Sequence, residues 1–138
     1  MSDTTTSYDQ GMVNRRRVLG DAWVDQSLTG LNDFNTEFQN LITRYAWNEV
    51  WGRPALGDKT RRLMVLSTMI ALKSYDEFAL HVRAGLDGAP ESRLTAEDIK
   101  EVIYQAAIYC GVPAANQAMR VAAGILREKQ LLTPKDTP

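Results

Sequence analysis

The run RRLMVLSTMIALK, residues 61–73, constrains the fold more than any other stretch of this chain. Wound as a helix, its apolar residues leave almost no polar side, and a helix that is apolar all round has to be enclosed at the centre of a bundle or between subunits. It is also too short to cross a bilayer, which takes about 20 apolar residues, so the enclosure has to be protein.

The rest of the chain supplies helices for that purpose. Met12 to Val24 reads as a helix interrupted at Gly20. Leu31 to Trp47 carries Phe34, Phe38, Leu41, Ile42 and Tyr45 at three- and four-residue intervals, the spacing of an amphipathic helix. Gly52, Pro54 and Gly57 punctuate a loop, after which Asp58 can cap the apolar helix. Ser74-Tyr75-Asp76-Glu77 has the S-x-x-E spacing of a capping box and opens a helix to about Leu86. Thr95 with Asp98 opens another, which Gly111 ends, and Pro113 suits the first turn of a last helix to about Lys129. No alternating strand pattern occurs. The expectation is an all-α chain: a single domain over 1–138, a bundle of about six helices with its core at about 12–130. The polar ends, the first ten or so residues and TPKDTP, are expected to fray unless an oligomer holds them.

Composition narrows the class of function. The 138 residues suit one core rather than two ordinary domains, and 44% apolar residues with a net charge of -1 describe a globular chain. The densest basic cluster, Arg15, Arg16 and Arg17, fits a solvated helix face or an anion contact, so no nucleic-acid partner is expected. Cys110 is the one cysteine, which excludes an intrachain disulfide and a cysteine-ligated metal cluster. The polar N-terminus has no signal-peptide core and no segment spans a membrane, so cytoplasmic residence is expected. Glycine-rich phosphate loops, nucleophile-elbow serines and histidine–carboxylate metal spacings are all lacking, so neither metal nor bound cofactor is expected.

Few residues are left to carry chemistry. His81, the sole histidine, lies four residues after Glu77 on one helix, so the two side chains can share a face. A carboxylate there can fix the ring's tautomer and favour its protonated form; the alternative is that Glu77 serves the capping box and His81 is a hydrogen-bonded helix residue. Cys110 sits at a break between helices, where the N-terminal end of the last helix would stabilise a thiolate, or where a small thiol simply packs. Trp51, Arg53, Arg61 and Arg62 offer groups for a carboxylate, guanidinium forks above all, with surface salt bridges as the alternative.

Taken in order, WGRPALGDKTRRL, DEFALHVRAGL and EDIKEVIYQAAIYCGVPAA resemble the signature segments of the carboxymuconolactone decarboxylase family, and RRRVLGDAWVDQSL resembles its N-terminal helix. The most specific parts are the E-x-x-x-H pair and YCGVPAA. The resemblance implies a helical fold shared with alkylhydroperoxidase D proteins, assembled as a ring-like homo-oligomer, commonly a hexamer, with pockets near subunit contacts. It implies cofactor-free decarboxylation of a carboxylated lactone, 4-carboxymuconolactone, to 3-oxoadipate enol-lactone in protocatechuate catabolism. Glu77 and His81 match the E-x-x-x-H positions and Arg61 the family's recurrent arginine, with Glu101 and Cys110 as further candidates. On that basis His81 would be the proton donor, Glu77 its orienting partner, Arg61 a carboxylate or oxyanion ligand and Cys110 a pocket residue. The C-x-x-C of the redox branch is absent, since Pro113 stands at the second thiol. Three departures bear on the substrate: the longer loop GAPESRLT, Arg62 where a small serine is usual, and Ala55 for a common glycine. The alternatives are a decarboxylase or isomerase of another small organic acid, and a non-catalytic helical oligomer that binds one.

Overall fold

In the computed structural model of the chain, residues 6–133 are described, and the regular structure among them is entirely helical. The helices are α1 (Ser7–Leu19), α2 (Asp21–Leu28), α3 (Thr36–Ile42), a π-helical segment (Thr43–Val50), α4 (Asp58–Ala71), α5 (Tyr75–Leu86), α6 (Ala96–Cys110) and α7 (Val112–Glu128). They fall into two compact units, Met1–Asp58 and Lys59–Pro138.

The first unit starts earlier than its apolar spacing suggests. Thr6 Oγ1 accepts from the Asp9 N–H at 3.1 Å and the Thr6 N–H donates to Asp9 Oδ2 at 3.3 Å, a capping box that carries α1 through residues expected to fray. Residues 1–5, and 134–138 of the expected C-terminal tail, lie outside the described residues. Gly20, at φ 89°, separates α1 from α2 as its sequence position suggests.

The expected helix Leu31–Trp47 is altered at both ends. Asn32 and Asn35 exchange side-chain and backbone hydrogen bonds in a turn, so α3 begins only at Thr36. At Thr43 the hydroxyl donates to the Gln39 carbonyl at 2.8 Å, a back-bond that competes with the helical ladder. From there the backbone widens into the π segment, at whose end the Trp51 N–H reaches Ala46 O at 3.0 Å, five residues back. The helical stripe also points the other way from the expected core: Phe34, Phe38, Leu41 and Tyr45 are all exposed, Phe34 at 97%.

α1 packs along the π segment. The bare Cα of Gly11 faces the Thr43 carbonyl, and Asn14 Nδ2 donates to Trp47 O at 2.9 Å. Arg17 closes the unit with Nε and Nη2 on the Asp58 carboxylate (2.7 and 3.2 Å), Nη1 on Asn14 Oδ1 (2.6 Å) and Nη2 on Trp51 O (3.3 Å). Arg15 donates to Ser27 and Arg16 pairs with Asp21 and Asp25, so the basic cluster is engaged within its own chain.

In the second unit α5 and α6 both pack on α7. Ala114, Ala115, Ala118 and Ala122 give α7 a buried face of small residues that admits them closely, against Phe78, Val82, Ile99 and Ile103. α4 adds Leu66 and Ile70, both fully buried, but Met64 and Leu72 point outward, so the segment apolar on all faces is enclosed on one side of this chain. It ends in a Schellman motif: Lys73 takes φ 58°, its N–H bonds Ile70 O at 3.1 Å, and the Ser74 N–H bonds Met69 O at 2.8 Å. That spends the N–H which the expected Ser74–Glu77 capping box would need, and Ser74 makes no side-chain cap. The Thr95–Asp98 box forms as expected, with bonds of 2.9 and 3.1 Å, and Gly111, at φ 98°, parts α6 from α7. No helix of the described residues is long and apolar enough to cross a membrane.

Two helical glycines carry opposite expectations. Alanine favours a helix by about 1 kcal/mol over glycine. At Gly124 a Cβ meets no atom within 4 Å, so Gly124→Ala should stabilise by about 0.5–1 kcal/mol. At Gly11 the Cβ would overlap the Thr43 carbonyl, a backbone group that cannot swing aside, so overpacking wins and Gly11→Ala should destabilise by about 1–3 kcal/mol. Urea denaturation of the two variants beside the parent measures both; Gly11→Ala as stable as Gly124→Ala would refute the close packing of α1.

Candidate active site

α4 and α5 bring the sole histidine against a buried arginine. Arg62 is 3% and His81 6% exposed, and Arg62 Nη1 lies 3.1 Å from His81 Nδ1. A guanidinium has donors and no acceptor, so Nδ1 must take this bond with its lone pair, and the neutral ring carries its proton on Nε2. Adding a proton at Nδ1 would set N–H against N–H and cation against cation. Burial first, and the Arg62 charge second, lower the His81 pKa from 6.5 to about 4. The sequence suggested a carboxylate that favours the charged ring; the ring instead faces a guanidinium that opposes it.

Local structure explains how Arg62 reaches the ring. Gly85 lies one turn beyond His81, and the loop after α5 folds back so that the Leu94 N–H donates to Gly85 O at 2.8 Å and Arg93 Nε to Gly88 O at 3.0 Å. Leu94 is thereby buried over Gly85, with the Arg62 stem beside it.

The other candidate residues are distributed as follows. Glu77, freed from capping, is exposed in the first turn of α5, one turn before His81. Arg61 is half-buried on α4, and Glu101 is exposed on α6. Cys110 is a free, half-buried thiol at the last position of α6, packed against the edge of the core. Trp51 and Arg53 belong to the first unit, where Trp51 stacks on Trp47 with ring centroids 5.7 Å apart. There Trp51 and Arg53 line, with Asn14 and Arg17, a cavity of about 470 Å³. Among the described residues, no three of His, Cys, Asp and Glu gather so as to hold a metal ion.

Residues 36–124, from the start of α3 into α7, match the carboxymuconolactone decarboxylase family. The chain is also 41% identical over 121 residues to the 4-carboxymuconolactone decarboxylase of Acinetobacter baylyi, a span of 88% of this chain and 87% of that one. This chain belongs to the carboxymuconolactone decarboxylase family. Within the family it is 39% identical to the nitrosuccinic acid decarboxylase of Metarhizium robertsii, over 83% of this chain and 77% of the relative. A 4-carboxymuconolactone decarboxylase of Pseudomonas putida is 61% identical over 44 residues, 32% of this chain and 92% of the relative. All three relatives are decarboxylases, and the protein is a carboxy-lyase.

The neutral buried ring makes stability depend on pH. The folded pKa of about 4 lies below the unfolded value of 6.5, so unfolding takes up a proton between them. The contribution is complete above pH 6.5 and is lost as pH falls toward 4, by about 3 kcal/mol in all. Denaturation midpoints measured from pH 7.5 to 4 should fall more steeply for the parent than for His81→Gln. Parallel curves would mean that the ring is not held neutral.

Proposed function

We propose that this family member decarboxylates 4-carboxymuconolactone to 3-oxoadipate enol-lactone in the catabolism of aromatic acids, as a cytoplasmic homo-oligomer without a cofactor. The observation that carries the reading is the 41% identity over nearly the whole chain to a decarboxylase of that name. In the substrate the departing carboxylate sits on the ring carbon next to the alkene conjugated with the lactone carbonyl. When the C–C bond breaks and CO2 leaves, the electron pair spreads into a furan-like dienolate, and a proton from the protein or solvent then forms the C–H bond. The substrate is its own electron sink, which leaves the protein to grip carboxylates, stabilise the oxyanion and deliver one proton.

His81 is assigned to the oxyanion. A ring that is neutral at pH 7 is a poor acid, but its Nε2–H is a fixed donor for a developing enolate oxygen, the use made of a neutral histidine in triosephosphate isomerase. Arg61, and Arg53 beside Trp51, are assigned to substrate carboxylates, which a guanidinium binds through paired donors. The proton for carbon is assigned to solvent, with Glu77, exposed and in contact with water, as the carboxylate that relays it and Glu101 as the second candidate for that task; Cys110 is assigned to pocket shape. A second reading, another small acid as substrate, is supported by the nitrosuccinic acid decarboxylase among the relatives. A nitro group beside the departing carboxylate is likewise an electron sink, so the same protein groups would serve. Support for an oligomer comes from the exposed stripe Phe34, Phe38, Leu41 and Tyr45, apolar residues at helical spacing that call for a partner surface.

Purified protein should release CO2 from 4-carboxymuconolactone and form the enol-lactone, measured beside nitrosuccinate to compare kcat/KM. His81→Ala should cut turnover roughly 10²–10³-fold, as for loss of an oxyanion donor, with Gln partly restoring it; Cys110→Ser should keep most of it. No turnover by an assembled parent protein would end the lactone reading. Light scattering checks the oligomer: Leu41→Asp should lower the mass, and a monomeric parent would overturn the assembly.

A further inference from the structure

We propose that Arg62, admitted by the missing side chain at Gly85, is a positioning residue that holds His81 in its Nε2–H tautomer, so that Nε2 is the nitrogen offered to a substrate oxygen. The use of that tautomer rests on the proposed role of His81; the arrangement itself rests on geometry. Arg62 Nη1 stands 3.1 Å from Nδ1, and a guanidinium can only donate. The bond therefore exists with a bare Nδ1 and with no other protonation state of that atom.

Gly85 is what lets the arginine through. A Cβ there would lie 2.8 Å from Arg62 Cδ and 2.7 Å from Leu94 Cδ1, well inside the roughly 3.5–4.0 Å at which carbons pack. Leu94 is 2% exposed and tied to Gly85 O by its own N–H, so it has little room to yield. The Arg62 stem would have to move, and Nη1 with it. No left-handed backbone or tight turn requires this glycine, which sits inside α5, where it costs about 1 kcal/mol relative to alanine. Clearance for Arg62 and Leu94 is the physical reason for it. Of the other charges on the helices of this unit, Glu77 and Arg83 on α5, Glu101 on α6 and Arg120 on α7 are solvent-exposed, while Lys59 and Arg61 on α4 and Asp98 and Lys100 on α6 are half-buried.

The test is ¹⁵N NMR of histidine-labelled protein, in which His81 supplies the one pair of ring nitrogens. The parent is expected to show an acceptor-type Nδ1 and a protonated Nε2 at pH 7, titrating with a midpoint near 4. Arg62→Met keeps the stem and removes the donors; the tautomer should become mixed and the midpoint rise in part, staying below 6.5 because burial, the larger cause, remains. Gly85→Ala keeps Arg62 and should give the same change, whereas Arg62→Lys, which retains charge and a donor, should hold the tautomer in part. A structural role alone would not move the tautomer. In Arg62→Met, kcat should fall by up to about 100-fold, more than KM changes. A parent ring protonated on Nδ1 overturns the proposal even if every variant fails to fold. So does an Arg62→Met or Gly85→Ala protein with the parent spectrum. Full turnover by His81→Ala, with the tautomer as expected, would instead sink the assigned role of His81 and leave the arrangement standing.

Discussion

The hydrogen bond from Arg62 to His81 joins two groups that each resist burial, and the surrounding helices are arranged to permit it. Taking a cation out of water costs several kcal/mol even after relaxation. A hydrogen bond involving a charged group returns about 1.5–3 kcal/mol of such a cost. The contact sits amid apolar packing: Leu66 and Ile70 from α4 and Phe78 and Val82 from α5 are fully buried, and each such side chain is worth about 1.5–3 kcal/mol. The helix pair is held by its apolar residues, and the polar contact is carried within it. The arrangement is selective about protonation as well: one more proton on the ring would break the bond and place two cations side by side.

Most of the second unit was legible in the sequence because its signals are local. Thr95 and Asp98 cap α6, Gly111 takes the positive φ that separates α6 from α7, and Pro113 lies in the first turn of α7. The same grammar was present at Thr6 and Asp9 and marks α1 earlier than the apolar spacing does, since a capping box requires no hydrophobic residue. Where the grammar misled, another local motif had first claim on the same atom: Ser74 looked like a cap, but its N–H closes the end of α4. Two signals with the right spacing can compete for one donor, and spacing alone does not rank them.

The first unit was less legible for a different reason. Periodicity says that Phe38, Leu41 and Tyr45 share a face, but not that the face is covered by this chain, and it is not. Nor does a 3.6-residue period announce a π segment; the Thr43 hydroxyl on Gln39 O and the Asn14 amide on Trp47 O are the interactions that accompany the widening. In the site, the histidine and its helix were visible, and the partner was not. Arg62 read as a carboxylate ligand or a surface salt-bridge partner because an arginine beside Arg61 carries no mark of burial. The one available signal was Gly85, a glycine inside an otherwise good helix, which points to a close neighbour without saying which.

A histidine whose pKa lies near 4 offers the same hydrogen at pH 6 and at pH 8, whereas one near 6.5 changes its charge across that range. For a reaction in which negative charge appears on oxygen, a donor already in place needs no reorganisation at the moment of bond breaking. On the proposed reading the same property takes His81 out of proton delivery, because a ring that stays neutral has no readily given proton. The proton, on that reading, then comes from solvent, and Glu77, released from capping by the closure of α4, is exposed one turn away on the same helix to relay it. The motif that defeated the sequence reading of Glu77 thus also leaves its carboxylate available for chemistry.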